Sequence, residues 1–215
     1  MMEQRITSRK NPLLQQVKKL LSSRKAREEA GLFAADGVKL LAEAVRWYPG
    51  LDTVILSDGV HADVPESVRL FRVPEDVMAS ISPMESPQGA LFLCRLPERK
   101  AYVPQPGCLL LDGIQNPGNL GTILRTADAL DIPVTLLEGC ADPYSYKTVR
   151  ASMGAVFRMD IPAITAIYDH THDLEERGET TIGWIRGVYP TEETAREALD
   201  ADDLFVMEED GAVVA

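Results

Sequence analysis

Long apolar runs, paired cysteines and clustered histidines are scarce or missing in this sequence, and each absence removes a class of protein. No stretch of roughly 18 apolar residues occurs, so no membrane-spanning helix is expected. The N-terminal segment is basic and amphipathic and has no small-residue cleavage site, which argues against a secretory leader; a cytoplasmic protein is expected. Cysteine is limited to Cys94, Cys108 and Cys140, an odd and widely spaced set that reads as buried free thiols rather than a disulfide framework. Of the three histidines, His170 and His172 could share a face. With no further clustered Cys or His, they fall short of the ligands zinc needs, and no metal is expected. A Gly-x-Ser-x-Gly elbow, a Cys/His pair and a phosphate loop ending in Gly-Lys-Ser are all missing, so hydrolase and nucleotide-phosphatase readings have no residues to rest on.

Net positive charge is missing as well: the formal charge is −11. A protein that coats nucleic acid without selectivity neutralises phosphates with Lys and Arg, and this one cannot do so over its whole surface. Its charges are segregated, however. Residues 1–30 carry eight basic and three acidic side chains, whereas residues 160–215 carry three basic and fifteen acidic ones. If the protein has a surface that faces nucleic acid, that surface belongs to the N-terminal part and not to the tail.

What is present alternates between strand and helix. Asn11-Pro12 caps and starts a helix in which Leu13, Leu14, Val17, Leu20 and Leu21 recur at helical spacing, and Gly31 ends it. The opposite face offers Lys18, Arg24 and Lys25. Strands are expected at Leu32–Ala35, Thr53–Ser57, Arg69–Val73 and Ala90–Leu96, with helices at Val38–Trp47 and near Glu75–Ser80. The segment from Pro97 to Gly107 holds three prolines and the cluster Glu98-Arg99-Lys100, the composition of an exposed linker. The expected division is a domain over 1–97, a linker over 98–106 and a second domain over 107–215. In the latter, a buried strand at Cys108–Leu111 leads to a helix from about Asn119 to Leu130, a strand at Val134–Leu137, a helix from about Ser145 to Ala155 and a strand near Met159–Ile164. Further strands and helices are expected to Met207. Helical connections imply parallel pairing, with a ligand crevice at the carboxyl ends of the strands.

Two blocks fall at that crevice. In Asn116-Pro117-Gly118-Asn119-Leu120-Gly121-Thr122-Ile123-Leu124-Arg125-Thr126-Ala127-Asp128 a strand gives way to a helix start, where unpaired N–H groups and the helix dipole favour an anion. In Asp142-Pro143-Tyr144-Ser145-Tyr146-Lys147-Thr148-Val149-Arg150-Ala151-Ser152-Met153-Gly154, the next strand gives way to the next helix, gathering Lys147, Arg150 and Ser152 near Asn119 and Arg125.

Together these blocks resemble the SpoU/TrmH branch of the SPOUT RNA methyltransferases, whose signatures run Pro-Gly-Asn-x-Gly into Arg-Thr-Ala-Asp and then Lys-x-x-Arg-Ala-Ser-x-Gly. The segment from Ile6-Thr7-Ser8 to Asp36-Gly37 is similar to the small substrate-binding domain that precedes the catalytic domain in many members. The resemblance implies an α/β fold with a small N-terminal α/β substrate-binding domain followed by a parallel-sheet α/β domain of the knotted type. It implies transfer of a methyl group from S-adenosylmethionine to a ribose 2'-hydroxyl of rRNA or tRNA by a homodimer. Asn119 and Arg125 match the catalytic positions; Lys147, Arg150 and Ser152, with Lys18, Arg24 and Lys25 of the first domain, are the expected RNA contacts. At the family's glycine-rich cofactor loop this chain carries Glu208-Glu209-Asp210-Gly211-Ala212-Val213, so Gly211 alone is retained as a cofactor-binding position. The family's last helix has no counterpart in the sequence, and an incomplete catalytic domain is expected. A non-catalytic RNA-binding remnant of the family is the alternative reading.

Overall fold

The computed structural model describes residues 4–98, 107–137 and 139–162, and the backbone of 208–209 and 212–213. The chain divides into two compact units, Met1–Thr165 and Ala166–Ala215. In the second unit the described backbone forms one antiparallel pair, Glu208–Glu209 with Ala212–Val213. The strands and helices expected between Ile164 and Met207 lie outside the described residues, as does Gly211.

The first unit is built on a mixed five-stranded sheet. In chain order its elements are β1 (Gln4–Arg5), α1 (Pro12–Ser22), α2 (Arg24–Ala30), β2 (Leu32–Asp36), α3 (Val38–Trp47), β3 (Leu51–Ser57), β4 (Arg69–Val73), α4 (Glu75–Ile81) and β5 (Ala90–Arg95). The strand order is β1-β4-β3-β5-β2, with β5 antiparallel to both its neighbours and β4 parallel to β3 and β1. Side chains on successive strand positions point to opposite faces, and both faces are apolar. Ala34, Ile55, Leu91 and Leu93 pack with Leu14, Val17 and Leu20 of α1 and with Val77, Met78 and Ile81 of α4. Phe33, Val54, Leu56 and Phe92 face the other way, onto Leu41 and Ala44 of α3.

That second face is shared. Beyond residue 106 come β6 (Leu109–Leu111), α5 (Pro117–Ala129), β7 (Val134–Leu136), α6 (Tyr146–Ala151) and a 3-10 turn at Ala155–Phe157, with β6 and β7 parallel. Leu120 and Leu124 of α5, Val149 of α6 and Phe157 join the same core as Phe33 and Phe92. Phe33, Tyr48, Tyr144, Phe92 and Phe157 form an aromatic cluster with ring centroids 5.0–6.3 Å apart.

Four expectations are corrected. The N-terminal helix is two helices, because Ser23 is extended (φ −129°) and its Oγ accepts from Ala26 N, capping α2 while ending α1. The helix expected to reach Ala155 stops at Ala151, because Met153 and Gly154 both take positive φ (52° and 94°). No strand starts at Met159, whose N–H still closes the preceding turn on Ala155 O; the backbone first meets the sheet where Leu136 N donates to Pro162 O at 3.0 Å. In β6 only Leu111 is buried, and Leu109 and Leu110 are exposed.

Candidate functional site

The site assembles at the carboxyl ends of β6 and β7. Past these ends the two chains stay in register: Leu137 N donates to Leu111 O, Ala141 N donates to Ile114 O, and the Cys140 thiol also donates to Leu111 O. Gly113 (φ 59°) and Gly139 (φ 80°) lie against each other there, and a Cβ on Gly139 would come 3.4 Å from Gly113 Cα. Both loops then turn into helices, α5 and α6.

Helix α5 begins at Pro117, two residues ahead of the expected start, because Asn116 is its N-cap. The Asn116 Oδ1 accepts from Gly118 N at 2.8 Å and from Asn119 N at 3.1 Å. Leu120 N is bonded to Asn116 O, and Pro117 has no N–H to offer. The expected anion site of free backbone N–H groups is therefore already satisfied from within, and an anion here must be held by side chains. In α6 the cap is Ser145, whose Oγ accepts from Thr148 N at 3.2 Å.

The two helices touch at Gly121. A Cβ there would lie 2.5 Å from Ala151 Cβ, 2.6 Å from Thr148 O and 2.9 Å from Ser152 N. This closeness accounts for the small residues of both motifs, since the Gly of the first block and the Ala-Ser of the second form one contact. It also corrects the role expected of Ser152. That side chain is 0% exposed, donates to Val149 O at 2.8 Å and lies in the helix crossing, where no RNA can reach it.

The other predicted residues divide by surface. Asn119 and Arg125 of α5 and Lys147 of α6 are exposed, and no side-chain hydrogen bond or ion pair engages them among the described residues. Arg150 is exposed with Nη1 2.9 Å from Met84 Sδ, and it lies close enough to Asp36 to stabilise that carboxylate. Burial nevertheless holds the Asp36 carboxyl above its ordinary range, against the Ser82 hydroxyl that donates to it at 2.5 Å and against the Arg150 charge. Lys18 on α1 is half-buried. Arg24 and Lys25 on α2 are exposed but engaged with Glu28 and Glu29 at 3.1 and 3.8 Å.

One residue that the sequence did not single out joins these surfaces. Arg27 is 4% exposed, and its Nε and Nη2 both donate to Asp142 Oδ2, at 2.8 and 2.6 Å. It follows the exposed Arg24 and Lys25 in the run Arg24-Lys25-Ala26-Arg27, and its partner lies 115 positions away. A second link is Arg158, paired with Asp128 of α5 at 2.6 Å and with Glu43 of α3. Beside Arg27 opens a cavity of about 750 Å³ bordered by Arg24, Tyr144, Asp160 and Leu96. Among the described residues no cluster of His, Cys, Asp or Glu could hold a metal ion, and no helix is long and apolar enough to cross a membrane. His170 and His172 lie outside those residues.

Two capped, closely crossed helices that follow parallel strands and carry exposed Asn, Arg and Lys are the α/β arrangement expected from the resemblance to the TrmH type. The comparisons agree. Residues 107–211 match the SpoU rRNA Methylase family, and residues 11–91 match the MRM3-like substrate binding domain. The chain is 32% identical over 160 residues to the Bacillus subtilis 23S rRNA (guanosine(2553)-2'-O)-methyltransferase RlmP, an alignment covering 73% of this chain and 63% of that one. It is similar to a solved TrmH-family protein from Porphyromonas gingivalis (TM-score 0.65, 33% identity, 77% of this chain and 66% of that chain). It is also similar to an AdoMet-bound rRNA methyltransferase from Sinorhizobium meliloti (TM-score 0.64, 27% identity, 83% and 69%). The chain belongs to the SpoU/TrmH family of RNA methyltransferases. It spans less than two thirds of the length of the curated relatives it matches.

Proposed function

We propose that this chain acts as an RNA ribose 2'-O-methyltransferase, with the N-terminal half binding RNA and the α5–α6 crossing holding the target nucleotide. The observation that carries the reading is that Asn119 and Arg125 of α5, neither with a side-chain partner among the described residues, and Lys147 and Arg150 of α6 are exposed on two helices that meet at Gly121. A ribose 2'-hydroxyl is a weak nucleophile and must be held in line and relieved of its proton. A guanidinium is a charged donor and no general base, which leaves Arg125 a different task. Its role is to orient the ribose or its phosphate and to stabilise developing negative charge, with Asn119 shaping the site beside it. Lys147 and Arg150 bind backbone phosphates and position the nucleotide without reading its base. Ribosomal RNA is the substrate class supported by the names of the matched relatives.

S-adenosylmethionine is the cofactor of the family, and when bound it supplies the electrophilic methyl group. At the family's glycine positions this chain has Glu208 and Val213, which face each other across the antiparallel pair. Side chains with a Cβ in a paired ladder do not reproduce a glycine loop closed around adenosine, so the roles assigned above are those of the RNA-facing residues alone. A functional division into 1–97 and 107–215 about a linker at 98–106 is supported by the limits of the two family matches. A homodimer in the cytoplasm is the assembly and location we assign on family resemblance; sedimentation of the purified chain tests the first.

Two measurements test the function. Calorimetric titration of S-adenosylmethionine into the folded chain decides between the two readings: binding means that the segment at Glu208–Val213 still holds the cofactor in spite of its side chains, and no binding leaves an RNA-binding role alone. Arg125→Ala should abolish methyl transfer and leave most of the RNA affinity, and activity surviving the change refutes the assignment.

A further inference from the structure

Arg27 is a buried cation in the most basic part of the chain, yet it cannot serve as a phosphate ligand. It is 4% exposed, and Nε, Nη1 and Nη2 are all engaged: Nη1 donates to Leu20 O at 2.6 Å, and the other two share Asp142 Oδ2. A guanidinium is buried at a cost unless its charge is met, and here the Asp142 carboxylate meets it while each of the three nitrogens donates at least one hydrogen bond. Asp142 is in turn the organiser of the loop that starts α6. Its Oδ1 accepts from Tyr144 N at 2.8 Å, and its carbonyl accepts from Ser145 N at 3.1 Å and from Thr148 Oγ1 at 2.9 Å. Ser145 then caps the helix that carries Lys147 and Arg150. At the far end of that helix, Arg150 reaches Met84 of the N-terminal half.

We propose that Arg27 is a positioning residue for RNA: through Asp142 it fixes the pose of α6 against α1 and α2, so that Lys147 and Arg150 form one preset phosphate-binding surface with the basic face of the N-terminal helices. The inference rests on the reading that Lys147 contacts RNA. Preset surfaces matter most where cations are few, and a chain of net charge −11 cannot rely on a diffuse field to hold its substrate.

The test uses the full chain, a fluorescent RNA stem-loop as probe, and Arg27→Lys, which keeps the charge but not the three directed bonds. Amide hydrogen exchange should accelerate by about tenfold or more over 146–151, with the amides of β3 and β5 unchanged. Lys147→Ala should weaken RNA binding in the native background and weaken it much less in the Arg27→Lys background, a coupling of roughly threefold or more. A role in stability alone predicts the same fold-loss in both backgrounds. The paired replacement Arg27→Met/Asp142→Asn, which leaves neither charge buried alone, carries the same two readouts if Arg27→Lys does not fold. Unchanged exchange over 146–151, or equal losses on Lys147→Ala in both backgrounds, overturns the proposal. No loss on Lys147→Ala in the native background overturns the RNA reading of α6 and the proposal with it, while the exchange data still report separately on the clamp.

Discussion

Replacing Gly121 by alanine places a methyl group where α5 and α6 cross. Gly121 is an ordinary helical residue without a positive φ, so its glycine answers a demand for space rather than for backbone freedom. The new carbon would stand 2.5 Å from Ala151 Cβ and 2.6 Å from Thr148 O. Carbon atoms rest at about 3.5–4.0 Å, so the helices must part by roughly 1 Å. The carbonyl belongs to the backbone and has no rotamer to escape by. Overpacking of this kind costs about 1–3 kcal/mol, against which the better helix propensity of alanine returns up to about 1 kcal/mol. A net loss of up to about 2 kcal/mol lowers the melting temperature by roughly 2–4 °C per kcal/mol for a chain of this size. The functional loss should be larger. Asn119 and Arg125 ride on one helix and Lys147 and Arg150 on the other, and a displacement of about 1 Å at a reacting centre costs on the order of a hundredfold in rate. Thermal unfolding and single-turnover methyl transfer on the same preparation separate the two effects. Gly118→Ala is the control, since a Cβ there meets only Asn116 Oδ1, at 3.1 Å. A Gly121→Ala protein as stable and as active as its parent would refute the account of the crossing.

Asn116→Ala removes the side-chain acceptor of Gly118 N and Asn119 N and should cost about 1 kcal/mol in denaturant unfolding, with Asn116→Asp restoring most of it. Asp36 gives a pH signature. Because burial raises its folded pKa above the ordinary value of 3.8, the native state holds the proton more tightly than the unfolded chain does. Its contribution to stability therefore declines as pH rises from about 3.8 through the folded pKa and is constant above it. Asp36→Asn should gain in melting temperature relative to the parent across that window and hold the gain at neutral pH. A difference that stays flat from acid to neutral pH would refute the burial argument.

Most of the N-terminal half was legible because its signals are local. The 3.6-residue spacing of Leu14, Val17 and Leu21, the Asn11-Pro12 start and the apolar runs at β3, β4 and β5 each depend on neighbours a few positions away. The break at Ser23 was not legible, because Lys18 to Ala26 reads as continuous helix until the Ser23 hydroxyl takes the Ala26 N–H for itself. In the site, motif order put Asn119 and Arg125 on one helix and Lys147 and Arg150 on the next but could not say which motif residues face outward. Ser152 faces inward because Gly121 brings α5 against it, and that depends on a crossing between helices some thirty positions apart. Arg27 and Asp142 illustrate the same limit at longer range. A run of basic residues is a sequence property, whereas burial of one member of the run is a property of the packed fold.

The cations that RNA can use follow from how the rest are spent. On α2, Arg24 and Lys25 are paired with Glu28 and Glu29 one turn away, while Lys18 on α1 has no carboxylate partner among the described residues. Exposed pairs of this kind contribute about 0–1 kcal/mol each, so a phosphate can displace the carboxylate, but the displacement subtracts from binding. Each phosphate neutralised by a free cation contributes roughly 0.7–0.9 to the slope of log affinity against log salt concentration. Replacing Lys18, Arg24 and Lys25 by alanine should therefore lower that slope by about 2, as measured by fluorescence anisotropy with labelled RNA across a salt series. Glu28→Gln with Glu29→Gln should act in the opposite direction, since it frees both cations and removes up to about 1 kcal/mol of competition at each, up to roughly fivefold in affinity per pair. If the slope is unchanged in the first variant and the affinity unchanged in the second, RNA does not touch α2, and the contact surface must be sought on the α5–α6 side alone.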